Sequence, residues 1–296
     1  MPAADHPLAD ARSAFLRACR LDVDTAKPGN VSVGSAGHGM QAAQFIDSAH
    51  AATPALFARD VPVGARILDA VTRTREVAGC NTNLGIVLLV APLAAALDAR
   101  DGMPQHSNGA AHWQRGVERV LAGLTIDDAH AAYRAIALAN PGGLGDAPEQ
   151  SVHAQPSVDL RAAMSLAAAR DSIARQYANG FVDIFGTGLD AVARSSRVTA
   201  RGITLDIFLT FLGTWPDSHI VRKQGVSVAQ SVTRQTRERH AQWLLTNDEA
   251  SSQTLDVWDG ELKAEGVNPG TSADLTVATL FVAGLLDPSR VANHRA

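Results

Sequence analysis

Two short turns near the start of the chain combine residue types that could bind a phosphate group. The first contains Lys27, Gly29 and Asn30, and the second places His38 between two glycines. Lysine supplies positive charge, glycine lets the backbone approach an anion closely, and asparagine adds a neutral donor. His38 could act as an acid or a base near neutral pH. Each turn also suits an ordinary chain reversal, so a phosphate loop and a structural turn both remain open.

A third polar turn, made of Asn81, Thr82 and Asn83, stands directly before the apolar run that begins at Leu84. One of these side chains would be enough to cap a helix. Since all three stand together, their amides and the free N–H groups of the helix start could also face a ligand oxygen. The sequence supports both helix capping and a polar binding site at this turn.

A later segment holds a carboxylate and an imidazole two residues apart, Asp217 and His219, with Arg222 and Lys223 close behind. A carboxylate that orients an imidazole can help it to move a proton. A neighbouring cation would bind phosphate. We therefore treat Asp217 and His219 as candidate acid–base residues and Lys223 as a candidate phosphate ligand.

Four aspartates, Asp22, Asp47, Asp171 and Asp274, fall among apolar residues of predicted helices. Burying a single carboxylate is costly unless a cation or hydrogen-bond donors compensate its charge. Shared binding of Mg²⁺ would remove this conflict, because Mg²⁺ uses a few carboxylates together with water and substrate phosphates. The alternative is that each aspartate faces solvent.

Helices must position these residues, because the composition favours helices over sheets. The 296-residue chain is 46% hydrophobic and only 5% aromatic, a profile typical of a helical globular protein. We predict an all-α fold, a single domain over residues 1–296 in which helices stack around a central apolar helix. The run from Leu84 to Leu97 is apolar on all sides and marks that central helix. Ser272 is the predicted N-cap of the last helix.

Charge, cysteines and hydropathy restrict the class of protein further. A net charge of -4 argues against nucleic-acid binding, which usually needs a basic surface. Cys19 and Cys80 lack the spacing of a zinc or redox motif, which indicates buried free thiols in a reducing compartment. No signal peptide is recognisable, and the run from Leu84 is shorter than the roughly 20 residues that span a bilayer. We therefore expect a cytoplasmic protein that binds neither membranes nor nucleic acids.

Taken together, the polar blocks resemble the triphosphoribosyl-dephospho-CoA synthase family. The similar blocks occur in the family's order over most of the chain, and they are Lys27-Pro28-Gly29-Asn30-Val31, Gly37-His38-Gly39-Met40, Asn81-Thr82-Asn83-Leu84-Gly85, Asp217-Ser218-His219 and Asn268-Pro269-Gly270-Thr271-Ser272-Ala273-Asp274. The resemblance implies an all-α fold. It also implies a reaction that joins the ribose C1 of ATP to the 2′-hydroxyl of dephospho-CoA and releases adenine.

The resemblance and the residue chemistry together give a set of predicted roles. The partners would be ATP or a related nucleotide and a small phosphorylated acceptor, with Mg²⁺ as the cofactor. We predict that phosphates and substrate are bound by Lys27, Gly29, Asn30, Asn81, Thr82, Asn83 and Lys223, that His38, Asp217 and His219 act in catalysis, and that Asp47 and Asp274 hold the metal.

The departures from the family pattern point to a different substrate. Asn83 and Leu84 stand where the citrate-lyase enzymes of the family have histidine and lysine, so an imidazole and a cation are missing. The chain resembles a divergent branch of archaea and C1-metabolising bacteria. This implies a changed acceptor in the biosynthesis of a C1-carrier cofactor of the methanopterin or methanofuran type. A magnesium-dependent all-α N-glycoside hydrolase and a non-catalytic helical binding protein remain alternatives, and a homodimer stays open.

Overall fold

The computed structural model describes residues 7–98, 109–141, 155–245 and 249–291. Within these ranges the chain forms fourteen α-helices and no β-strand, which confirms the all-α prediction. The helices are α1 (Pro7–Asp24), α2 (Ala42–Leu56), α3 (Val63–Ala78), α4 (Leu84–Asp98), α5 (Gly109–Ala122), α6 (Ile126–Ala139), α7 (Leu160–Ala167), α8 (Ser172–Asn179), α9 (Leu189–Arg194), α10 (Ala200–Thr214), α11 (Ser218–Gln224), α12 (Val226–Leu245), α13 (Glu249–Ala264) and α14 (Gly270–Leu286). A π-helical turn, Asp183–Gly188, precedes α9.

Two helices that are apolar on all sides form the centre of the fold. Nearly every residue of α4 is buried, as its sequence predicts, and α14 is equally apolar and packs against α1, α4 and α10. On α14, the ring of Phe281 lies 6.4 Å from Phe15, 5.8 Å from Phe57 and 5.6 Å from Trp113, measured between centroids. Aromatic contacts from three directions fix α14 against its neighbours.

A second, smaller hydrophobic cluster joins α10, α12 and α13. Its members include Leu212, Val232 and Trp258, each almost fully buried. This cluster holds α13 beside the loop of residues 25–41 that connects α1 to α2. Since that loop carries the first two polar turns, the cluster decides what the turns can contact.

Two helix starts differ from the sequence-based prediction. The last helix begins at Gly270, so the prediction of Ser272 as its N-cap was wrong. Ser272 lies in the first turn, where its N–H donates to Asp217 Oδ2 at 2.7 Å. The acceptor for this N–H is therefore Asp217, the N-cap of α11, and not a side chain next to it in the sequence. Asp171 is not on a helix face either, because it caps the N-terminus of α8.

The prediction of buried free thiols is correct for one of the two cysteines. Cys19 and Cys80 are both free, but Cys19 alone is buried and Cys80 is partly exposed. Burial raises the pKa of the Cys19 thiol, which keeps it protonated and unreactive. None of the helices in the described ranges combines the length and apolar character that crossing a membrane requires.

Candidate active site

A cavity of about 390 Å³ lies where several helices begin. Its wall includes residues from the first turns of α4, α8, α11 and α14, among them Gly85, Ile173, His219 and Gly270. A helix N-terminus carries N–H groups without internal acceptors and a partial positive charge. Side chains accept hydrogen bonds from several of these N–H groups, and the charged residues of the wall are Asp22, Asp171, Asp274, Arg170 and Arg222.

Six of the residues predicted to form the site line this cavity. They are Asn30, Asn81, Thr82, Asn83, His219 and Asp274. Residues that are far apart in the sequence thus meet at one place. Asn30 and Asn268 both contribute to the wall and are joined by a hydrogen bond of 3.0 Å from Asn30 Nδ2 to Asn268 Oδ1.

Lys27 does not reach the cavity wall. Its side chain is fully buried, and the ammonium donates to the carbonyl oxygens of Asp22 and Thr25 and lies 3.2 Å from Asp22 Oδ1. Burial lowers the pKa of Lys27, and the Asp22 charge opposes this shift. Asp22, in contrast, lines the cavity. The geometry places the lysine behind Asp22, where it holds that carboxylate in position.

The loop that carries Gly29 and His38 is attached to α13. Gly29 N–H donates to Asp259 Oδ1 at 2.8 Å, and Lys263 Nζ donates to Asp259 Oδ2 at 2.9 Å. Gly29 has φ = 78°, and a Cβ at this position would lie 2.9 Å from Pro269 Cδ. The His38 Nε2 atom is 2.9 Å from the Gly29 carbonyl oxygen, so the imidazole is used within the loop. Neither Gly29 nor His38 lines the cavity.

Asp217 is a buried capping residue between two helices. Its Oδ1 accepts hydrogen bonds from the N–H groups of His219 at 2.8 Å and Ile220 at 3.2 Å. Its Oδ2 accepts from Ser272 N at 2.7 Å and Ser272 Oγ at 2.8 Å. Burial raises its pKa, and these hydrogen bonds oppose the shift. The carboxylate links the starts of α11 and α14 and so fixes the position of His219.

Two other predicted residues lie outside the cavity. Asp47 is exposed on α2, and Lys223 is exposed on α11. Arg222, the neighbour of Lys223, is the cation of this segment that lines the cavity. Residues three and four positions after His219 share its helix face, so the sequence pattern could not distinguish Arg222 from Lys223.

His219 presents a neutral imidazole to the cavity. Burial lowers its pKa to about 4, and the charges of Arg222 and Lys223 add to the shift. The ring packs against Gly270, where a Cβ would lie 3.4 Å from Nδ1. At neutral pH the ring is therefore uncharged, and one of its nitrogens can accept a hydrogen bond.

Asp274 lies against the first turn of α4. A Cβ on Gly85 would lie 2.1 Å from Asp274 Oδ2 and 2.6 Å from Ile173 Cδ1, so only glycine fits at position 85. Burial raises the pKa of Asp274 well above its ordinary value, and the charges of Asp22 and Asp217 raise it further. Gly85 is part of a predicted motif, but the sequence gives no sign that it makes room for the Asp274 carboxylate.

Part of the cavity wall is apolar, and the sequence did not predict it. It is lined by side chains from α4, α6, α7 and α8, including Ile86, Leu88, Ile136, Met164 and Ile173. Their sequence pattern is that of ordinary core residues, and no local signal distinguishes them. Polar and apolar residues thus both line the cavity, and at the starts of α4 and α8 they are neighbours in the sequence.

The fit of a magnesium ion can be judged from the carboxylates at the cavity. Asp22 and Asp274 both line it, whereas Asp47 does not. Within the described ranges no three acidic, histidine or cysteine side chains are grouped as a metal site made by protein alone would need. Mg²⁺ is commonly held by one or two carboxylates together with substrate phosphates. Asp22 and Asp274 have the carboxylate oxygens that this mode of binding uses.

The fold and the cavity define an all-α protein with a cavity of small-molecule size where several helices begin. The sequence of residues 8–292 matches the model of a family described as ATP:dephospho-CoA triphosphoribosyl transferase. The chain belongs to this family, and it is a transferase of the triphosphoribosyl-dephospho-CoA synthase type.

The structural comparison agrees on the fold. A crystal structure from Archaeoglobus fulgidus, described as a "putative triphosphoribosyl-dephospho-coA synthase", is similar to the chain with a TM-score of 0.62 and 24% identity. The match covers 80% of this chain and 96% of the other. The comparison with curated proteins gave no match.

Proposed function

We propose that the protein transfers the triphosphoribosyl group of ATP to a hydroxyl group of an acceptor other than dephospho-CoA. The ribose C1 forms a bond to the acceptor oxygen as its bond to adenine breaks. The hydroxyl loses its proton to a base, and the departing adenine takes up a proton. The observation that carries this proposal is the meeting of His219, Asp274 and Asn83 in one cavity within a chain of the transferase family.

The start of α4 is suited to the triphosphate. The N–H groups of Gly85 and Ile86 belong to a first helical turn, where helices bind anions. Asn83 is 4% exposed, and its Nδ2 atom has no hydrogen-bond partner in the described part of the chain. Asn81 Oδ1 accepts from Leu84 N at 3.1 Å and orders the turn. This arrangement supports a phosphate site made mainly of neutral donors.

His219 is the best candidate for the base. Its imidazole is neutral at physiological pH because its pKa is about 4. The backbone N–H of His219 is held by Asp217, so the residue has a fixed place beside the helix starts. A base fixed next to the reacting hydroxyl lowers the barrier both by proton transfer and by orientation.

Mg²⁺ would be held by Asp274 and Asp22, and it would neutralise negative charge on the triphosphate. Lys27 keeps Asp22 in place from behind. Gly85 leaves the space that the Asp274 carboxylate occupies. The protein would thus supply two carboxylates to the ion, and the one on Asp274 lies beside the first turn of α4, where the phosphates are proposed to bind.

The apolar residues of the cavity wall support a changed acceptor. Ile86, Ile136 and Met164 favour a flat or aliphatic group over a densely phosphorylated one. A precursor of a C1-carrier cofactor, of the methanopterin or methanofuran type, combines an aromatic group with a polar part. We therefore place such a precursor first among the acceptors to be tested.

The test is release of adenine from ATP in the presence of Mg²⁺, measured by liquid chromatography and mass spectrometry. We expect adenine only when an acceptor is added, together with a product whose mass equals acceptor plus triphosphoribosyl. The acceptors are dephospho-CoA and pterin- or furan-bearing precursors, and higher kcat/KM with one of the latter is expected.

Two results would contradict the proposal. Adenine with free triphosphoribose in the absence of acceptor would indicate an N-glycoside hydrolase. A preference for dephospho-CoA over every other acceptor would retain the family's reaction and overturn the changed acceptor. The His219→Ala variant serves as the matched control, because adenine release should fall while the fold remains.

A further inference from the structure

We propose that Arg222 is the fixed anchor for a phosphate group of the ligand and that Asp171 is the residue that positions it. This inference rests on the proposed function only in requiring a phosphate-bearing ligand. Arg222 lies on α11 and lines the cavity, one turn after His219. It precedes Lys223, which we predicted as the phosphate ligand and which is exposed.

The guanidinium of Arg222 has one donor fixed and others available. Nη1 donates to Asp171 Oδ2 at 2.6 Å, and the two side chains are 21% and 25% exposed. The Nε atom is buried and has no hydrogen-bond partner among the described residues. Arginine presents several N–H groups in one plane and matches phosphate oxygens with two of them. The pair with Asp171 leaves such donors free.

Asp171 is itself held rigidly. Its Oδ1 accepts hydrogen bonds from the N–H groups of Ile173 at 2.9 Å and Ala174 at 3.1 Å, which caps α8. The same carboxylate therefore serves a helix start with one oxygen and Arg222 with the other. The helix N-terminus also stabilises the negative charge of Asp171. Arg222 is oriented by the pair and still attracts an anion.

The other cations near the cavity are less suited to this task. Lys27 is buried behind the wall and pairs with Asp22. Lys223 is exposed and does not line the cavity, and Arg170 lines it from an exposed position. A long exposed side chain loses conformational entropy when it becomes ordered on a ligand. Arg222 has already been ordered by folding.

The phosphate could belong to the triphosphate of the nucleotide or to the acceptor. Both present the same oxygens to a guanidinium, and their chemistry alone does not separate them. Kinetics can separate them, because a lost contact raises the KM for the substrate that made it. The experiment therefore measures binding of a phosphate probe and the KM of each substrate.

The binding arm uses the full chain and inorganic tripolyphosphate in isothermal titration calorimetry. We expect Arg222→Gln to weaken binding about tenfold or more, as the loss of a charged hydrogen bond should. Arg222→Lys should restore only part of the affinity, because lysine cannot make the planar contact. Arg194→Gln is the matched control, since Arg194 forms a similar 2.6 Å pair with Asp190 on the exposed surface of α9. It should bind like the wild type.

The positioning role of Asp171 has its own variant. Asp171→Asn keeps a side chain that caps helices well but removes the charge that holds Arg222. We expect an unchanged melting temperature and a weakening of tripolyphosphate binding by about threefold to tenfold. A purely structural role would give a lower melting temperature with unchanged affinity, and that result would overturn the assignment.

The kinetic arm identifies the source of the phosphate. A raised KM for ATP in Arg222→Gln, with weakened tripolyphosphate binding, assigns Arg222 to the nucleotide. A raised KM for the acceptor, with tripolyphosphate binding unchanged, assigns it to the acceptor. Wild-type tripolyphosphate binding and wild-type KM values for both substrates would overturn the proposal. The calorimetric arm needs no group transfer, so it can fail or succeed independently of the proposed reaction.

Discussion

Two regions of this chain are both rich in polar residues at turns and helix starts, but they lie in different surroundings. The loop of residues 25–41 carries Lys27, Gly29 and His38, whose polar groups contact Asp22, Asp259 and other atoms of the loop. The starts of α4 and α11 carry Asn83 and His219, which face the cavity. The loop is a structural connection for most of its length, whereas the helix starts provide the groups that a ligand can reach.

The difference lies in which donors and acceptors are already used. A buried polar group nearly always has a partner, and one without a partner inside the protein is available to a ligand. The loop meets α13, which supplies Asp259 and Lys263 as partners. At the start of α4, in contrast, the buried Nδ2 atom of Asn83 has no partner among the described residues.

The largest effect should come from replacing the imidazole at the helix starts. We expect His219→Ala to lower kcat by about 10²- to 10⁴-fold, the usual contribution of a general base. Between neutral pH and about pH 5, titration of His219 should leave the kcat of the wild type unchanged. Activity should then fall as the pH approaches the pKa of about 4, because protonation removes the lone pair.

The comparison with the loop gives this experiment its control. His38→Ala removes the other imidazole, which contacts the Gly29 carbonyl oxygen, and it should change kcat far less. A larger loss in His38→Ala than in His219→Ala would reverse the assignment of the two regions.

The next effect concerns stability. Lys27→Met leaves the Asp22 carboxylate buried without its cation, and we expect the free energy of unfolding in urea to fall by about 3–5 kcal/mol. The double variant Lys27→Met/Asp22→Asn removes both charges and should recover part of this loss. Unchanged stability together with a raised KM for ATP would instead mean that Lys27 contacts phosphate directly.

The smallest effect is expected on the surface of α2. Asp47→Asn should change stability by less than about 0.5 kcal/mol and should leave the Mg²⁺ concentration for half-maximal activity unchanged. Asp274→Asn is the paired variant, and it should raise that Mg²⁺ concentration. If Asp47→Asn raises it instead, the metal is held by a different set of carboxylates.

Much of the fold could be predicted from local sequence. The helix from Leu84 was expected because its residues are apolar on every side, and Gly79 ends α3 in the left-handed conformation that glycine adopts easily. The start of α14 was predicted wrongly because its first turn is satisfied by Asp217, which is distant in sequence. Local signals describe caps within one segment, and they do not record an acceptor that comes from another helix.

The sequence by itself determined the all-α class, a central apolar helix and the family, and six of the twelve residues predicted for the site line the cavity. These properties follow from periodicity, turn chemistry and ordered motifs, all of which are local or collinear. Only the tertiary structure decided that Lys27 is buried behind Asp22, that Arg222 rather than Lys223 lines the cavity, and that Gly85 makes room for Asp274. The position of each residue depends on the neighbours that surround its side chain, and these neighbours come from helices that are distant in the sequence.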